Sequence, residues 1–268
     1  MRISLFSQSL SALPLEAAIA GTVEAGYGAI ELACMPPHLD LGLACSEPQR
    51  VADRIAGAGL RVAALSLVNS FTDSGRLDEQ VEAAETFMRL APLFGTALLK
   101  LTPGAPASGE ATDEHWRTLA RAVERLAPTA RELGLRLAFE THMRQLTDTL
   151  ASTRRFLDMV PADVVGLTVD FSNLAFAGED VPAATAALAP QIFHTHVKNG
   201  WIDADGGWHF QPLDQGLTDY VQVLSALRDI GFGGYLSIEC LGPDARERPV
   251  ETARRDREIL MNHLRALA

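Results

Sequence analysis

Four times in this chain a helix-like stretch ends at a glycine and runs at once into a short apolar strand. The phrase spans Glu24–Leu32, Gly57–Ser66, Glu132–Glu140 and Gly231–Glu239. Glycine takes the left-handed conformation that closes a helix at no steric cost. Helices alternating with strands then force parallel pairing through right-handed crossovers. Eight strands are predicted, near residues 2–6, 28–33, 61–66, 97–101, 135–140, 164–169, 192–197 and 234–239. Helical patterns lie between them, most clearly over 77–94, 113–132, 217–230 and 250–267. Thr112, followed by Asp113 and Glu114, reads as a helix start, because acids in a first turn suit the macrodipole. Eight such units in 268 residues predict one (β/α)8 TIM barrel over residues 1–268, a fold that takes about 250 residues. A doubly wound open sheet competes, but no Gly-x-Gly-x-x-Gly follows the first strand.

Charge and cysteine usage narrow the function classes. A net charge of −11 offers no basic surface for nucleic acid or an anionic membrane. Cys34, Cys45 and Cys240 are odd in number and lack zinc-ligand spacing, so they read as reduced thiols of a cytoplasmic protein. Met1–Phe6 enters a strand-like run without the apolar stretch of a secretory signal, and no apolar run is long enough to span a bilayer. The expected partner is a small molecule, with a homo-oligomer left open.

In barrels of this kind the chemistry sits at the C-terminal ends of the strands. The fifth to eighth strands close on Glu140, Asp170, His196 and Glu239. Strand alternation puts Glu140 on one face with Ala138, Asp170 with Thr168, His196 with His194 and Glu239 with Ser237. Leu137, Phe139, Leu167, Val169, Val197, Leu236 and Ile238 occupy the other face and are suited to packing under helices. A single carboxylate at a strand end is ordinarily a helix cap or a solvated rim residue. Three converging acids repel and raise one another's pKa unless a cation joins them. Three oxygens and an imidazole nitrogen suit Mn²⁺, the first choice here, or Mg²⁺, Co²⁺ or Fe²⁺. The absence of thiolates weakens structural zinc.

Further polar residues crowd these ends. His142 follows Glu140 by two positions, His194 and Lys198 flank His196, and Lys100 ends the fourth strand. His194 fits a deeper histidine that orients a ligand. Lys100 and Lys198 suit either a substrate contact or a salt bridge to the acids. Glu31, ending the second strand, suits either a substrate contact or a lysine pair. Trp208 and His209 fall in the loop after the seventh strand, either over the site or packed within the loop.

These motifs resemble the xylose isomerase-like barrel superfamily, in particular its sugar phosphate isomerase/epimerase branch. The residues carrying the likeness are 26–32, Glu140 to His142, Val169 to Phe171, His194 to Lys198, and Gly233 to Glu239. The resemblance implies that Glu140, Asp170, His196 and Glu239 bind one divalent ion. It also implies that Glu140 and Glu239 exchange protons with a small polyhydroxy ketone or aldehyde through a metal-stabilised enediolate. His142, Lys198, Lys100, Glu31 and Asn173 are then expected to contact substrate. A narrower likeness, over Glu140 to His142, Leu146 to Leu150 and His196 to Asn199, is to bacterial 3-dehydroshikimate dehydratases. It implies a dehydratase as the alternative outcome. Asn173 stands where family members often carry histidine, and Lys100 where those dehydratases carry arginine, a different grip on a carboxylate. A phosphodiesterase of the endonuclease IV type shares the fold but needs more histidine ligands. A non-catalytic sugar-binding barrel is the alternative from a different class.

Overall fold

A computed structural model describes residues 1–267. Eight strands close into a parallel barrel: β1 (Arg2–Phe6), β2 (Ala29–Ala33), β3 (Arg61–Ser66), β4 (Leu98–Leu101), β5 (Arg136–Glu140), β6 (Val165–Asp170), β7 (Ile192–Val197) and β10 (Tyr235–Ile238). Around the ring they run β1-β10-β7-β6-β5-β4-β3-β2. This is the (β/α)8 barrel that the repeated phrase predicts, with strand ends shifted by at most one residue. Glu239, expected as the last residue of the eighth strand, lies one position beyond β10.

The helices form where their sequences place them. Leu77–Leu90 carries Asp78 and Glu79 in its first turn and buries Val81, Ala84 and Phe87. Asp113–Leu133 buries Trp116, Leu119, Val123 and Leu126 at helical spacing, as an apolar stripe facing a core requires. Gly134 ends that helix at φ 64°, a left-handed backbone that a Cβ would strain. Leu135 follows, and its N–H bonds back to Ala130 O at 2.8 Å.

The main core lies between barrel and helices. Leu99, Leu137, Leu167, Val169, Val197 and Ile238 point outward into it and are all fully buried. The inward faces are smaller and more polar: Ser4, Ala64, Ala138, Thr168 and Ser237 are buried there. Two register shifts adjust the interior. Ala63 is an extra residue in β3 opposite Ile30 and Glu31, and Phe193 is an extra residue in β7 opposite Leu167 and Thr168. Such bulges re-aim side chains locally.

The loop expected after the seventh strand is in fact a hairpin. β8 (Asn199–Ile202) and β9 (Trp208–Gln211) pair antiparallel beyond the C-terminal mouth. Arg144 ties it to the β5 loop, donating to Gly206 O at 2.9 Å and stacking over Trp208 at 4.8 Å. Asp203 accepts from His209 at 2.6 Å, so His209 braces the hairpin. No helix is long and apolar enough to cross a membrane among the described residues.

Candidate metal centre

The barrel closure brings three of the four expected ligands together directly. Glu140, Asp170 and His196 each offer a donor atom within 4.8 Å of the others, and all three are buried. They come from neighbouring strands β5, β6 and β7, where Glu140 pairs with Thr168 and Asp170 with His196. Glu239 joins through a shared cation. Lys198 Nζ lies 2.7 Å from Asp170 Oδ2 and 2.8 Å from Glu239 Oε2, so those two oxygens are no farther apart than the two bonds combined. A second ammonium holds Glu140: Lys100 Nζ is 2.5 Å from its Oε2. Of the two roles open to these lysines, both form salt bridges here.

The side chains of this cluster are held from behind. Asp170 caps the short helix Phe171–Phe176 by accepting from Asn173 N at 2.9 Å, and its own N–H donates to Thr141 Oγ1 at 2.9 Å. The Asn173 side chain donates to Thr141 O at 3.0 Å, so it braces the β5 and β6 ends against each other. Lys198 is anchored by Tyr220: its N–H donates to the phenol at 3.0 Å, and the phenol donates to Lys198 O at 2.5 Å. His142 donates from Nδ1 to Met143 O at 2.7 Å. Phe6 stacks on the His196 ring with centroids 5.1 Å apart.

Glu31 occupies a place that neither of its expected roles describes. Its Oε1 lies 2.9 Å from His196 Nε2 and its Oε2 lies 2.7 Å from His194 Nε2, all fully buried. Its partners are the two histidines and not a lysine. His196 Nδ1 then faces Glu140 Oε1 at 3.2 Å. A histidine that ligates a metal commonly donates its other ring N–H to a carboxylate, which sets tautomer and orientation. His194 therefore acts on His196 through Glu31. Sequence reasoning missed this link because β2 and β7 are three places apart in the ring. It also passed over Thr141, although that residue sits inside the quoted motif.

The electrostatics are those of a cation site. Burial alone would raise the Glu140 carboxyl, yet Lys100, His196 and His142 overcome it and hold it well below the usual range. Burial likewise opposes the ionised Glu31, but His196 and His194 hold its pKa well down. Asp170 is raised by burial and by the neighbouring Glu140 and Glu239, with Lys198 opposing. Burial disfavours a charged His196, but Glu31 and Glu140 raise its pKa from 6.5 to about 10. Several anions are thus held together by protons and ammonium groups, the setting in which a divalent ion can take over the compensation. The donor set of carboxylates and imidazole, without thiolate, fits a divalent ion. Glu31, His194 and His196 form a second group of close donors, sharing His196 with the first.

Residues 19–263 match the Xylose isomerase-like TIM barrel family. An inosose dehydratase of Lacticaseibacillus casei is 26% identical over 171 residues, which cover 56% of this chain and 55% of that protein. The chain therefore spans about half the length of the curated relatives it matches. Among solved structures, a probable 3-DHS dehydratase from Bacillus anthracis superposes with a TM-score of 0.83 at 22% identity, over 98% of this chain and 99% of the other. An L-ribulose 3-epimerase superposes with a TM-score of 0.79 at 23% identity, over 99% and 96%. The two structural likenesses speak to the fold, and the family match covers nearly all of the chain. The chain belongs to the Xylose isomerase-like TIM barrel family.

Proposed function

We propose that the chain is a divalent-metal-dependent isomerase or epimerase of a small polyhydroxy ketone or aldehyde. The observation that carries this reading is the placement of two carboxylates around the ring. Glu140 ends β5 and Glu239 follows β10, three places away, with Asp170 and His196 on the two strands between them. Glu140, Asp170, His196 and Glu239 hold the ion, with Mn²⁺ the first choice and Mg²⁺, Co²⁺ or Fe²⁺ the alternatives. When bound, such an ion polarises a substrate carbonyl and lowers the cost of removing a proton from the adjacent carbon. Glu140 takes that proton as general base, and Glu239 returns one from the other side of the substrate. Return to the same carbon inverts it, and return to the neighbouring carbon isomerises the sugar. Lys198 and His142 face substrate oxygens, Lys100 keeps Glu140 ionised, and Glu31 and Asn173 act by holding His196 and Asp170.

Dehydration is the second reading, and one observation favours it. Two of the relatives above carry dehydratase names; His142 or Lys198, the latter held charged by Asp170 and Glu239, is then the acid facing a departing β-hydroxyl. In that case loss of the α-proton and of hydroxide leaves a carbon–carbon double bond and water.

The deciding experiment incubates the Mn²⁺-loaded protein in deuterated water with ketoses, an inosose and 3-dehydroshikimate, followed by NMR and ultraviolet absorbance. Deuterium at the carbon beside the carbonyl, with an epimer or isomer appearing, supports the first reading. An unsaturated product supports the second. Tight sugar binding without exchange or turnover overturns both and leaves a binding barrel.

A further inference from the structure

At the N-terminal end of the barrel, the end opposite the metal centre, lies a cavity of about 720 Å³. Its rim carries Arg2, Arg61 and Arg136, the first residues of β1, β3 and β5. Alternate strands supply one interior layer of such a barrel, ordinarily filled with branched aliphatics. Here β1, β3 and β5 begin instead with long cationic residues, and the cavity between them is lined by Val62, Thr96, Leu98, Phe193 and Tyr235.

Three features mark this cavity as built for a ligand. The chain holds 34 acidic residues, yet no Asp or Glu lines this cavity. Among the described residues none of the three arginines makes an ion pair; Arg2 lies over the Tyr235 ring at 4.1 Å and Arg136 over the Phe193 ring at 4.8 Å. At the cavity's inner end sits His194, fully buried, its Nε2 taken by Glu31 and its Nδ1 without a partner. A buried polar atom left unpaired is costly and calls for a partner. Guanidinium groups grip carboxylate and phosphate oxygens bidentately, and the volume lies in the usual range of small-molecule sites.

We propose that this cavity is a second ligand site, for a small organic oxyanion. Arg2, Arg61 and Arg136 clamp its phosphate or carboxylate, Phe193 and Tyr235 flank its apolar body, and His194 Nδ1 meets an inner polar atom. The site is distinct from the catalytic mouth, which the barrel places at the opposite strand ends.

The test uses the full chain stripped of metal with EDTA and then freed of the chelator, so that no anion binds through a metal, and measures binding of phenyl phosphate, benzoate and inorganic phosphate by calorimetry. Saturable binding of phenyl phosphate or benzoate is expected, and the tighter of the two assigns the anion class. The double variant Arg61→Gln/Arg136→Gln should weaken it by about tenfold or more, and the single Arg2→Gln serves if the double variant fails to fold. Glu140→Gln, at the other mouth, should leave the affinity unchanged. Failure of all three probes to saturate, or unchanged binding in the arginine variants, overturns the proposal. Equal affinity for inorganic and phenyl phosphate removes its apolar half. None of these outcomes depends on the isomerase reading.

Discussion

At the C-terminal mouth of the barrel, four carboxylates stand against two lysines and two histidines, buried and mutually paired. At the N-terminal mouth, three arginines surround an open cavity with no carboxylate among its lining residues. The same alternation of inward residues builds both, and the middle of the barrel separates them with small groups such as Ser4, Ala138 and Ser237. The difference is one of compensation. The first mouth concentrates negative charge beyond what a protein interior tolerates without cations. The second leaves cations without anions. Glu31 and His194 join the two, since His194 borders the cavity while Glu31 holds His196.

The largest expected effect breaks the first mouth chemically. Glu140→Gln and Glu239→Gln should each lower kcat by about 10²–10⁴-fold at saturating metal, the usual worth of a general acid or base. Activity kept within a few-fold would remove the proton-exchange role while leaving the fold intact. Removing a cation comes next. Lys100→Met strips Glu140 of its 2.5 Å partner and should cost the metal-free protein about 3 kcal/mol in urea unfolding, as when a buried pair loses one member. Added Mn²⁺ should recover part of that loss.

Glu31→Gln should weaken metal binding by about 10–100-fold, the typical effect of losing a carboxylate behind a ligating histidine. The same network sets a pH dependence. The folded pKa of His196 is raised from 6.5 to about 10, burial opposing and Glu31 and Glu140 prevailing. The stabilisation is therefore complete below pH 6.5 and is lost as pH rises through 10. The urea midpoint of the EDTA-treated protein should fall across that window, with a shallower fall in Glu31→Gln. A further effect belongs to the second mouth. A Cβ at Gly166 would lie 2.5 Å from Gln191 O and 2.6 Å from the Phe193 ring. Gly166→Ala should thus destabilise by about 1–3 kcal/mol, read as a lower Tm, and should disturb the arginine cavity while sparing the metal centre.

Much of this was legible in the sequence because it depends on local periodicity. The helix–glycine–strand phrase and the inward alternation of Glu140, Asp170 and His196 are properties of single segments. What was not legible depends on closure. That Glu31 reaches both His194 and His196, or that Arg2, Arg61 and Arg136 share one rim, follows only when strands distant in sequence meet across the ring. The β8–β9 hairpin was a different omission. Asp205, Gly206 and Gly207 lie between Trp201-Ile202 and Trp208-His209-Phe210, a turn signal flanked by apolar residues, and it was there to be read. The roles of Lys100 and Lys198 stayed divided in the sequence because salt bridge and substrate contact call for the same residue at the same strand end.

The central claim is that Glu140, Asp170, His196 and Glu239 hold one divalent ion that serves enolisation. Its most direct test is a Mn²⁺ titration of the EDTA-stripped protein, followed by electron paramagnetic resonance and thermal unfolding together. Saturation at about one ion per chain with a rise in Tm is expected, as when a ligand binds only the folded state. Asp170→Ala should lose both signals. No saturable Mn²⁺, Mg²⁺, Co²⁺ or Fe²⁺ binding, or binding that Asp170→Ala leaves unchanged, would contradict the central claim.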